Sequence, residues 1–510
     1  MLTRRTSART IRLEAAELAY LRTHPVDVNN GEESLYRNAS NELNYIANYS
    51  KGLHHNTLGE VNPADYRSML KALHSGSPAD FEAITLDLGR KLVNPQAGLA
   101  FDLEGADAQA VTIPPAPRID APEVSGEMAE LYWMALLRDI PFKNFNADPD
   151  IAAACASLSS FSVFRGPKVG GNVTPDTIFR GLTPGDVTGP FVSQFLLKPF
   201  NYGTLRVGQR QKTAQSNLDY MMDFGEWLAI QNGGPSGPDS FDPLRRYIRN
   251  MRDLATYVHF DQLYEAYLNA CMALLSLGAP FDQGDFYQNS NTQLGFGTFG
   301  PPHILSLVTE VATRALKAVW HQKWFVHRRL RPEAFGGLIH NHVTGAAVYP
   351  IDSEILDTSP GSVLDRIHVH NVAQGHDTFL LPQAFPEGSP THPAYGAGHA
   401  TVAGACVTIL KAWFDESFVL PNPVESNANG TVLQAVPGQP ALTVGGELNK
   451  LAANIAIGRN IAGVHWRSDY TESVKLGETI ALTILEEQKL TYNEPHQFTV
   501  TKFDGTAVSI

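Results

Sequence analysis

The sequence predicts a mainly α-helical protein whose helices pack as bundles, with few and short strands. Five segments in the second half of the chain carry apolar residues at three- and four-residue spacing, which is the period of one helix face. Hydrophobic residues make up 43% of the 510 residues and charged residues 18%, so the chain can bury a large core. No repeat of about 20–50 residues is apparent, which argues against a solenoid.

The first half of the chain shows weaker helical patterns and stronger loop signals. Residues 1–60 are polar and rich in asparagine, so we expect little core there. Stretches rich in Gly and Pro at 164–190 and 229–243 predict loops. Between them, residues 191–208 could form a short strand pair. We take the loop at 229–243 as the boundary between the two halves of the chain.

The second half of the chain reads as successive helices. The predicted helices cover residues 259–278, 301–330, 398–414, 446–463 and 468–488. Gly278 and Gly463 end two of them, and Pro332 ends another because proline disfavours a helical conformation in the residue before it. We therefore divide the chain into an N-terminal polar segment at 1–60, a helical scaffold half at 61–240 and a C-terminal helical half at 241–510.

Composition excludes several classes of function. Lys and Arg total 39 against 52 Asp and Glu, and the resulting net charge of -13 argues against a nucleic-acid partner. Cys155, Cys271 and Cys406 are too few and too far apart for a disulfide framework or a thiolate zinc site, so we expect buried, hydrophobic cysteines. No apolar run reaches the roughly 18–20 residues of a membrane span. No signal peptide is visible, which leaves the cytoplasm and export with a removed signal both open.

Basic residues and histidines cluster at three breaks between predicted helices. The clusters are Lys323–Pro332, His392–His399 and Arg459–Asp469. Arg331 precedes the proline at a helix end, so its guanidinium can leave the apolar face. Gly398 and His399 begin a helix, where free N–H groups and the positive end of the dipole favour an oxyanion. Each cluster alone is more often a solvated helix end or an ordinary cap, but the three together are far more specific.

The third cluster needs a turn to act at a single point. Arg459 and His465 are six residues apart, about 240° round a continuous helix, so one helix could not direct both side chains at one ligand. Gly463 lies between them and allows such a turn. One cradle for a tetrahedral oxyanion, with arginine forks matched to its oxygens, would then consist of Lys323, Arg331, Arg459 and the Gly398 amide.

These motifs resemble a known site. The pattern K-x7-R-P, then G-H, then R-x5-H-x3-D is similar to the oxyanion site shared by vanadium-dependent haloperoxidases and related acid phosphatases. The segments RRLRPEAFGG, PTHPAYGAGHA and GRNIAGVHWRSD resemble the algal bromoperoxidase branch of the haloperoxidases, as do GPFVSQFLLKPFNYG and VHFDQLYEAYLNA. The resemblance covers most of the chain beyond residue 60. It implies two helix bundles forming one compact unit, and a homo-oligomer that is a dimer or a ring of dimers.

The resemblance also implies a role for each site residue. Vanadate would bind covalently to an imidazole nitrogen of His465. Its oxygens would be held by Lys323, Arg331, Arg459 and the amide of Gly398. His399 would hydrogen-bond the apical oxygen of vanadate and act as acid and base when peroxide binds, supported by the Asp261 carboxylate.

Several of these residues have a plainer interpretation. Asp261 falls on the helical stripe that includes Tyr264, but it could also be a surface residue of a differently phased helix. Asp469 could orient His465 or simply favour the N-terminus of the next helix. Trp320 and His392 match positions on the halide side of the algal site. By themselves they would be a core tryptophan and a loop histidine.

The chain departs from the family pattern at two positions. Ala397 stands where the family has a serine, and Gly396 stands where proline is common. The loss of one hydroxyl donor puts vanadate affinity, rate and halide range in question. Some algal enzymes also carry a structural calcium ion, and the oxygen-rich segment 281–293 could supply ligands, although it matches no strict calcium motif.

The sequence therefore predicts a vanadate-dependent haloperoxidase, specifically a bromoperoxidase. Hydrogen peroxide would oxidise bromide or iodide to hypohalous acid, which would halogenate a small organic acceptor. One alternative is a phosphomonoesterase that uses the same site, with His465 as nucleophile and His399 as leaving-group acid. The other is a non-catalytic oxyanion-binding assembly protein, which Ala397 makes more credible. We expect neither a nucleic-acid nor a membrane partner.

Overall fold

The computed structural model describes residues 3–438 and 440–510. Helices of the N-terminal half are α1 (Arg4–Leu21), α2 (Pro63–Ser75), α3 (Pro78–Glu82), α4 (Pro122–Leu136), α5 (Pro149–Ser160), α6 (Gln194–Leu197) and α7 (Phe224–Gln231). Helices of the C-terminal half are α8 (Met251–Phe260), α9 (Glu265–Leu277), α10 (Pro301–His321), α11 (Pro332–Val343), α12 (Val363–Ala373), α13 (Gly398–Trp413), α14 (Val444–Ile461) and α15 (Arg467–Lys489). The mainly α class is confirmed.

The strands form three short antiparallel pairs. They are β1 (Phe200–Tyr202) with β2 (Leu205–Val207), β3 (Val424–Ser426) with β4 (Leu433–Ala435), and β5 (Thr499–Thr501) with β6 (Ala507–Ser509). In the first pair, Phe200 lies opposite Val207. This hairpin falls within residues 191–208, so the predicted strand pair is confirmed.

Helix α13 is the centre of the molecule. Every residue of α13 except His399 is buried, and the helix packs against α15, α10 and α14. Glycines let α13 and α15 approach closely. A Cβ on Gly477 would lie 2.0 Å from the Thr401 carbonyl oxygen, and one on Gly404 would lie 2.0 Å from that of Val474. This packing fixes the N-terminus of α13 between its neighbours.

One core joins the two halves of the chain. The main cluster of buried apolar side chains includes Trp133 from the first half and Trp413 from the second. The chain therefore folds around a shared core, as one compact unit requires. Cys155, Cys271 and Cys406 are buried and unpaired, which confirms their interpretation as buried hydrophobic residues.

The expectation of little core in residues 1–60 is wrong for its last part. Tyr45, Tyr49 and Leu53 are buried in a second apolar cluster with Trp324, a neighbour of the candidate site in sequence. Polar composition concealed this packing because tyrosines bury large apolar surfaces while keeping a polar hydroxyl. By contrast, α1 has no buried residue.

Three predicted helices are confirmed and two need correction. Helices α13, α14 and α15 begin and end within two residues of their predicted bounds. The segment 259–278 is broken, because α8 ends at Phe260 and α9 starts only at Glu265. The segment 301–330 continues as α10 and one π-helical turn, then leaves the helix at Arg328, whose φ is 40°. Pro332 begins α11, since proline suits the first position of a helix.

None of the helices formed by the described residues combines the length and the hydropathy that a bilayer crossing requires.

Candidate active site

Side chains from separate segments meet in one buried centre. They are Lys323 in the π-helical turn, Arg331 at the N-cap of α11, His392 in the loop before α13, Arg459 near the end of α14, and His465 in the turn before α15. Lys323 is 0% exposed and Arg331 is 1% exposed. Gly463 has a φ of 88°, so the chain turns between Arg459 and His465 as predicted.

Arginine donors fix the protonation of the two imidazoles. Arg331 Nη1 donates to His465 Nε2 over 2.9 Å, and Arg331 Nη2 donates to His392 Nδ1 over 2.9 Å. Lys323 Nζ lies 2.8 Å from the same His392 nitrogen. A guanidinium only donates, so both ring nitrogens must carry lone pairs. His465 Nε2 therefore has the electron pair that a ligand nitrogen needs.

The other nitrogen of His465 is held by Asp469. His465 Nδ1 donates to Asp469 Oδ2 over 2.8 Å. The same oxygen accepts the N–H of Trp466, and Oδ1 accepts Nη1 of Arg329 over 2.8 Å. Both interpretations of Asp469 thus hold, because it lies in the first turn of α15 and also orients His465. Burial raises the pKa of Asp469, while Arg329 and Arg331 oppose that rise.

Arg329 is a site residue that sequence reasoning missed. It lies in the same basic segment as Arg331, but the letters alone could not tell which arginine would face the ligand. Arg329 also contacts Glu127, at 3.3 Å, so two carboxylates neutralise it. Its role is to hold Asp469 in place.

Three cations of the site have no carboxylate partner in the part of the chain that the structure describes. Within the described residues, no Asp or Glu oxygen lies within 4.0 Å of Lys323, Arg331 or Arg459. Burial lowers the pKa of Lys323 well below its ordinary value, and it lowers those of Arg331 and Arg459 to about 10. The pKa of His465 is also lowered well below its ordinary value. Burial is the main cause, and the neighbouring cations add to it. A bound oxyanion would supply the missing negative charge.

Arg459 has spare hydrogen-bonding capacity for such an anion. Its Nη1 donates to the carbonyl of Val258 over 2.8 Å, and its guanidinium lies 5.2 Å from the ring centre of Phe385. Its buried Nε has no hydrogen-bond partner among the described residues. The donor set is therefore rich in fixed N–H groups, which fits vanadate or phosphate.

His399 and Asp261 form a pair at the start of α13. His399 Nε2 lies 2.9 Å from Asp261 Oδ1, and Asp261 has 3% of its side chain exposed. Asp261 is the C-cap of α8, so its predicted place on a helical stripe is wrong. Burial alone would raise the pKa of Asp261, but the neighbouring His399 and Arg459 hold it below its ordinary value.

Trp320 and His392 form one wall beside the cations. Their rings are 4.9 Å apart, and Lys323 Nζ lies 4.7 Å from the Trp320 ring centre. A Cβ on Gly398 would lie 3.1 Å from the same indole, so the first amide of α13 sits close against this wall. Trp320 packs against the apolar clusters and His392 lies in a loop, so their plainer interpretations hold alongside this wall, and their halide role stays a prediction.

The two departures from the family pattern share one neighbour. The backbone N–H of Ala397 donates to Ser473 Oγ over 2.8 Å. A Cβ on Gly396 would lie 2.6 Å from that same oxygen, so Ser473 and any side chain at 396 would compete for space. Sequence reasoning missed Ser473, which lies 76 residues further along the chain.

The possible calcium segment receives no support from side-chain geometry. In the part of the chain that the structure describes, no group of three or more His, Cys, Asp or Glu side chains is placed to hold a metal ion. Asp282 and Asp285 instead cap local turns through the N–H groups of Gly284 and Tyr287. The calcium site stays a prediction.

Comparison with known proteins gives similar sequences along almost the whole chain. A family model described as the second helical-bundle domain of VCPO matches residues 368–494. A vanadium-dependent bromoperoxidase of Corallina pilulifera is 42% identical over 581 aligned residues, covering 98% of this chain and 97% of that protein. One from Ascophyllum nodosum is 36% identical, covering 95% of this chain and 88% of its own length.

A solved structure is similar to the fold as a whole. The homohexameric second vanadate-dependent bromoperoxidase of Ascophyllum nodosum superposes with a TM-score of 0.94 and 32% sequence identity. The match covers 99% of this chain and 90% of that one.

Proposed function

The chain belongs to the vanadium-dependent bromoperoxidases, and we propose that it uses vanadate in this site to oxidise bromide with hydrogen peroxide. The observation that carries the assignment of the site is the environment of His465. Its Nε2 lone pair lies among three buried cations that have no carboxylate partner among the described residues. An anion the size of phosphate, whose central atom can accept a ligand, would bond to the Nε2 lone pair and also balance the charge of the cations.

We infer which residues hold the cofactor. His465 Nε2 would be the covalent ligand, and the oxygens would take donors from Lys323, Arg331, Arg459 and the Gly398 amide. When bound, vanadate would supply a Lewis-acidic V(V) centre that activates peroxide towards halide. Arg331 must exchange its bond to His465 Nε2 for a bond to the anion. Asp469 would keep the Nδ1 proton in place during that exchange.

The remaining side chains would handle protons and halide. Bromide, hydrogen peroxide and one proton give hypobromous acid and water, so each cycle consumes a proton. His399 would hand over that proton, and Asp261 would stabilise its charged form. Trp320 and His392 would line the halide side. The product would then halogenate a small organic acceptor.

The phosphomonoesterase is the alternative that shares this site. One pair of assays separates the two activities: bromination of a phenol dye with peroxide and vanadate, and hydrolysis of p-nitrophenyl phosphate without vanadate. We expect bromination that disappears when vanadate is removed. We also expect phosphate to inhibit reconstitution of the apo-protein, because it competes for the same cations.

His465→Ala protein is the control for these assays, since it lacks the proposed ligand but keeps the cations. Bromination that survives vanadate removal and phosphate treatment would contradict the proposal. Phosphate ester hydrolysis without bromination would favour the phosphatase, and neither activity would favour the non-catalytic assembly protein.

We further propose that the chain forms a homo-oligomer. The structural neighbour from Ascophyllum nodosum is a homohexamer, which supports this assembly type. Of the two predicted forms, a ring of dimers accommodates six copies, whereas a single dimer has only two.

A further inference from the structure

A series of buried charged side chains leads from His465 into the N-terminal half of the protein. His465 Nδ1 donates to Asp469 over 2.8 Å, and the other Asp469 oxygen accepts Nη1 of Arg329, also over 2.8 Å. Arg329 Nη2 in turn lies 3.3 Å from Oε2 of Glu127, which belongs to α4. All four side chains are buried. Two carboxylates therefore share one arginine, and one of them holds the imidazole.

Glu127 also fixes the first turn of α15. Its Oε1 accepts the backbone N–H of Ser468 over 2.9 Å, and its Oε2 accepts the Ser468 hydroxyl over 2.9 Å. Arg329 Nη1 donates to the same hydroxyl oxygen over 2.8 Å. Ser468 directly precedes Asp469 in the chain. One carboxylate from α4 thus holds both the backbone that carries Asp469 and the cation that contacts it.

The charge of Glu127 matters as well as its position. Burial alone would lower the pKa of Arg329, but Asp469 and Glu127 hold it above its ordinary value, so Arg329 stays a cation. A cation that is shared by two carboxylates draws less charge from each of them. Asp469 therefore keeps more negative charge for the Nδ1 proton of His465, which makes the opposite nitrogen a better electron donor.

We propose that Glu127 is a positioning residue for His465, the proposed vanadate ligand, and that it acts through the residues between them. This inference rests on the proposed function of His465 and adds a residue of the N-terminal half to it. Among the described residues, no hydrogen bond joins Glu127 directly to His465. The competing interpretation is an ion pair that only stabilises the packing of α4 against α15.

The same two helices supply a matched control. Glu130, one turn further along α4, binds Arg467 on α15, with Nε of the arginine 2.7 Å from Oε2. Both side chains of this pair are 1% exposed. Within the described residues, no hydrogen bond joins either side chain to Asp469 or His465. Glu127→Gln and Glu130→Gln thus make the same chemical change in two buried pairs, of which only one leads to His465.

Vanadate binding to the two variants tests the positioning role. Glu127→Gln should raise the Kd for vanadate about tenfold, as loss of an outer partner of a metal ligand commonly does. The vanadium NMR resonance of the bound anion should shift, because its histidine ligand donates less charge. Glu130→Gln should lower the melting temperature by a similar amount but leave the Kd and the resonance unchanged. A parent-like Kd and resonance in Glu127→Gln, or equal changes in both variants, would overturn the proposal.

A double-mutant cycle tests the route. If Glu127 acts through Asp469, Glu127→Gln should add little to the rise in vanadate Kd that Asp469→Asn causes alone. Equilibrium dialysis without peroxide measures all three variants. Effects that multiply fully would mean that Glu127 influences the site by another route and would contradict the inference.

Crystal structures of the apo-proteins give a test that needs no vanadate. In Glu127→Gln, Arg329 pairs with Asp469 alone, so the distance from Asp469 Oδ2 to His465 Nδ1 should lengthen from 2.8 Å. An unchanged first turn of α15 would refute the positioning role. A parent protein that binds no vanadate would instead contradict the proposed function. If Glu127→Gln does not fold, Glu127→Asp, which withdraws the carboxylate by one methylene, decides the question by the same measurements.

Discussion

At the scale of residues, His465 and His399 are both imidazoles but have opposite surroundings. Arg331 and Asp469 fix His465 as a neutral ring with its Nε2 lone pair turned to the cations. His399 Nε2 lies 2.9 Å from the Asp261 carboxylate, and 17% of the His399 side chain is exposed. One ring is thus suited to bind and the other to transfer protons.

The first prediction separates these two roles. His465→Ala should abolish bromination and vanadate binding, because it removes the proposed covalent ligand. His399→Ala should keep measurable vanadate binding but lose about 10²–10⁴-fold in turnover, the usual contribution of general acid–base catalysis. Equilibrium dialysis with vanadate and dye bromination measure the two effects. Equal vanadate affinities in the two variants would show that the division of roles is wrong.

The second prediction concerns Ala397, where this chain lacks the family serine. Ala397→Ser should tighten vanadate binding, since a well-formed hydrogen bond to a charged oxyanion contributes about 1.5–3 kcal/mol. We expect little chloride activity in the parent and a gain of chloride activity in the variant, because the added hydroxyl should improve polarisation of the bound oxidant. Vanadate titration and kinetics with chloride, bromide and iodide measure this.

A control for this substitution is available on the surface. Ala152→Ser on α5 makes the same chemical change at an exposed position and should alter neither affinity nor rates. If Ala397→Ser behaves like this control, or if the parent oxidises chloride well, the missing hydroxyl does not set the halide range.

The residues of the cradle could be predicted because the residue types in the motif already indicate what they bind. Lysine, arginine and histidine at fixed spacing already indicate an oxyanion site. Arg329 and Ser473 could not be predicted in the same way. Their roles depend on which side chain of a distant segment approaches them, Asp469 in one case and the Ala397 N–H in the other.

At the scale of elements, the break between α8 and α9 shows how tertiary contacts override a periodic pattern. Apolar spacing continues through 259–278, yet the helix stops at Phe260 and Leu263 has a φ of 47°. The loop after α8 places Asp261 next to His399, which lies on α13. The apolar period predicts which face of a helix is buried. It does not predict where the helix must end so that a buried carboxylate can reach its partner.

The loop that carries His392 is held by a residue of the N-terminal segment, whose polar composition did not suggest such a contact. Lys51, from the polar N-terminal segment, is buried and donates to Glu333 Oε1 over 2.7 Å. It also donates to the carbonyls of Glu387 and Ser389, each over 2.7 Å. Glu333 in turn accepts the Ser389 hydroxyl. This pair therefore anchors the segment that leads to His392.

The third prediction follows from that anchor. Lys51→Met should destabilise the protein by about 3–5 kcal/mol, because it leaves the Glu333 carboxylate buried without its cation. Vanadate affinity should fall as well, since His392 would lose its fixed place beside Arg331. Thermal unfolding and vanadate titration measure the two effects.

Two further variants control this prediction. Lys71→Met removes an exposed ion pair with Asp80 and should leave the melting temperature unchanged. Lys51→Met combined with Glu333→Gln should recover part of the loss, because the buried charge is then gone. A Lys51→Met protein as stable as the parent would mean that the anchor contributes nothing.

At the scale of the whole molecule, the site depends on a core that spans the chain. Helix α13 is surrounded by α10, α14 and α15, so the N-terminal amide of Gly398 cannot shift without disturbing the central packing. Lys323 follows α10, Arg459 lies in α14 and His465 precedes α15, so this packing brings these three side chains together. The preformed cradle is thus a property of the complete fold.

Several large apolar side chains are exposed on the surface of the single chain. Phe101 is 77% exposed and Leu103 is 99% exposed, two residues apart. Leu294 and Phe296 are 91% and 73% exposed. Side chains of this size, in clusters rather than singly, are typical of surfaces that contact another protein.

The last prediction is that these surfaces are covered by further copies of the chain. We expect light scattering at micromolar concentration to give a mass that is a multiple of 55.7 kDa. Replacement of Phe101 and Leu103 by aspartate should lower that mass, because burial of two charges in an apolar contact is unfavourable. Bromination by the resulting smaller species should persist if each copy holds a complete site, as the cradle from one chain indicates. A mass near 55.7 kDa for the parent protein would refute the oligomer, and an unchanged mass for the double variant would place the contact elsewhere.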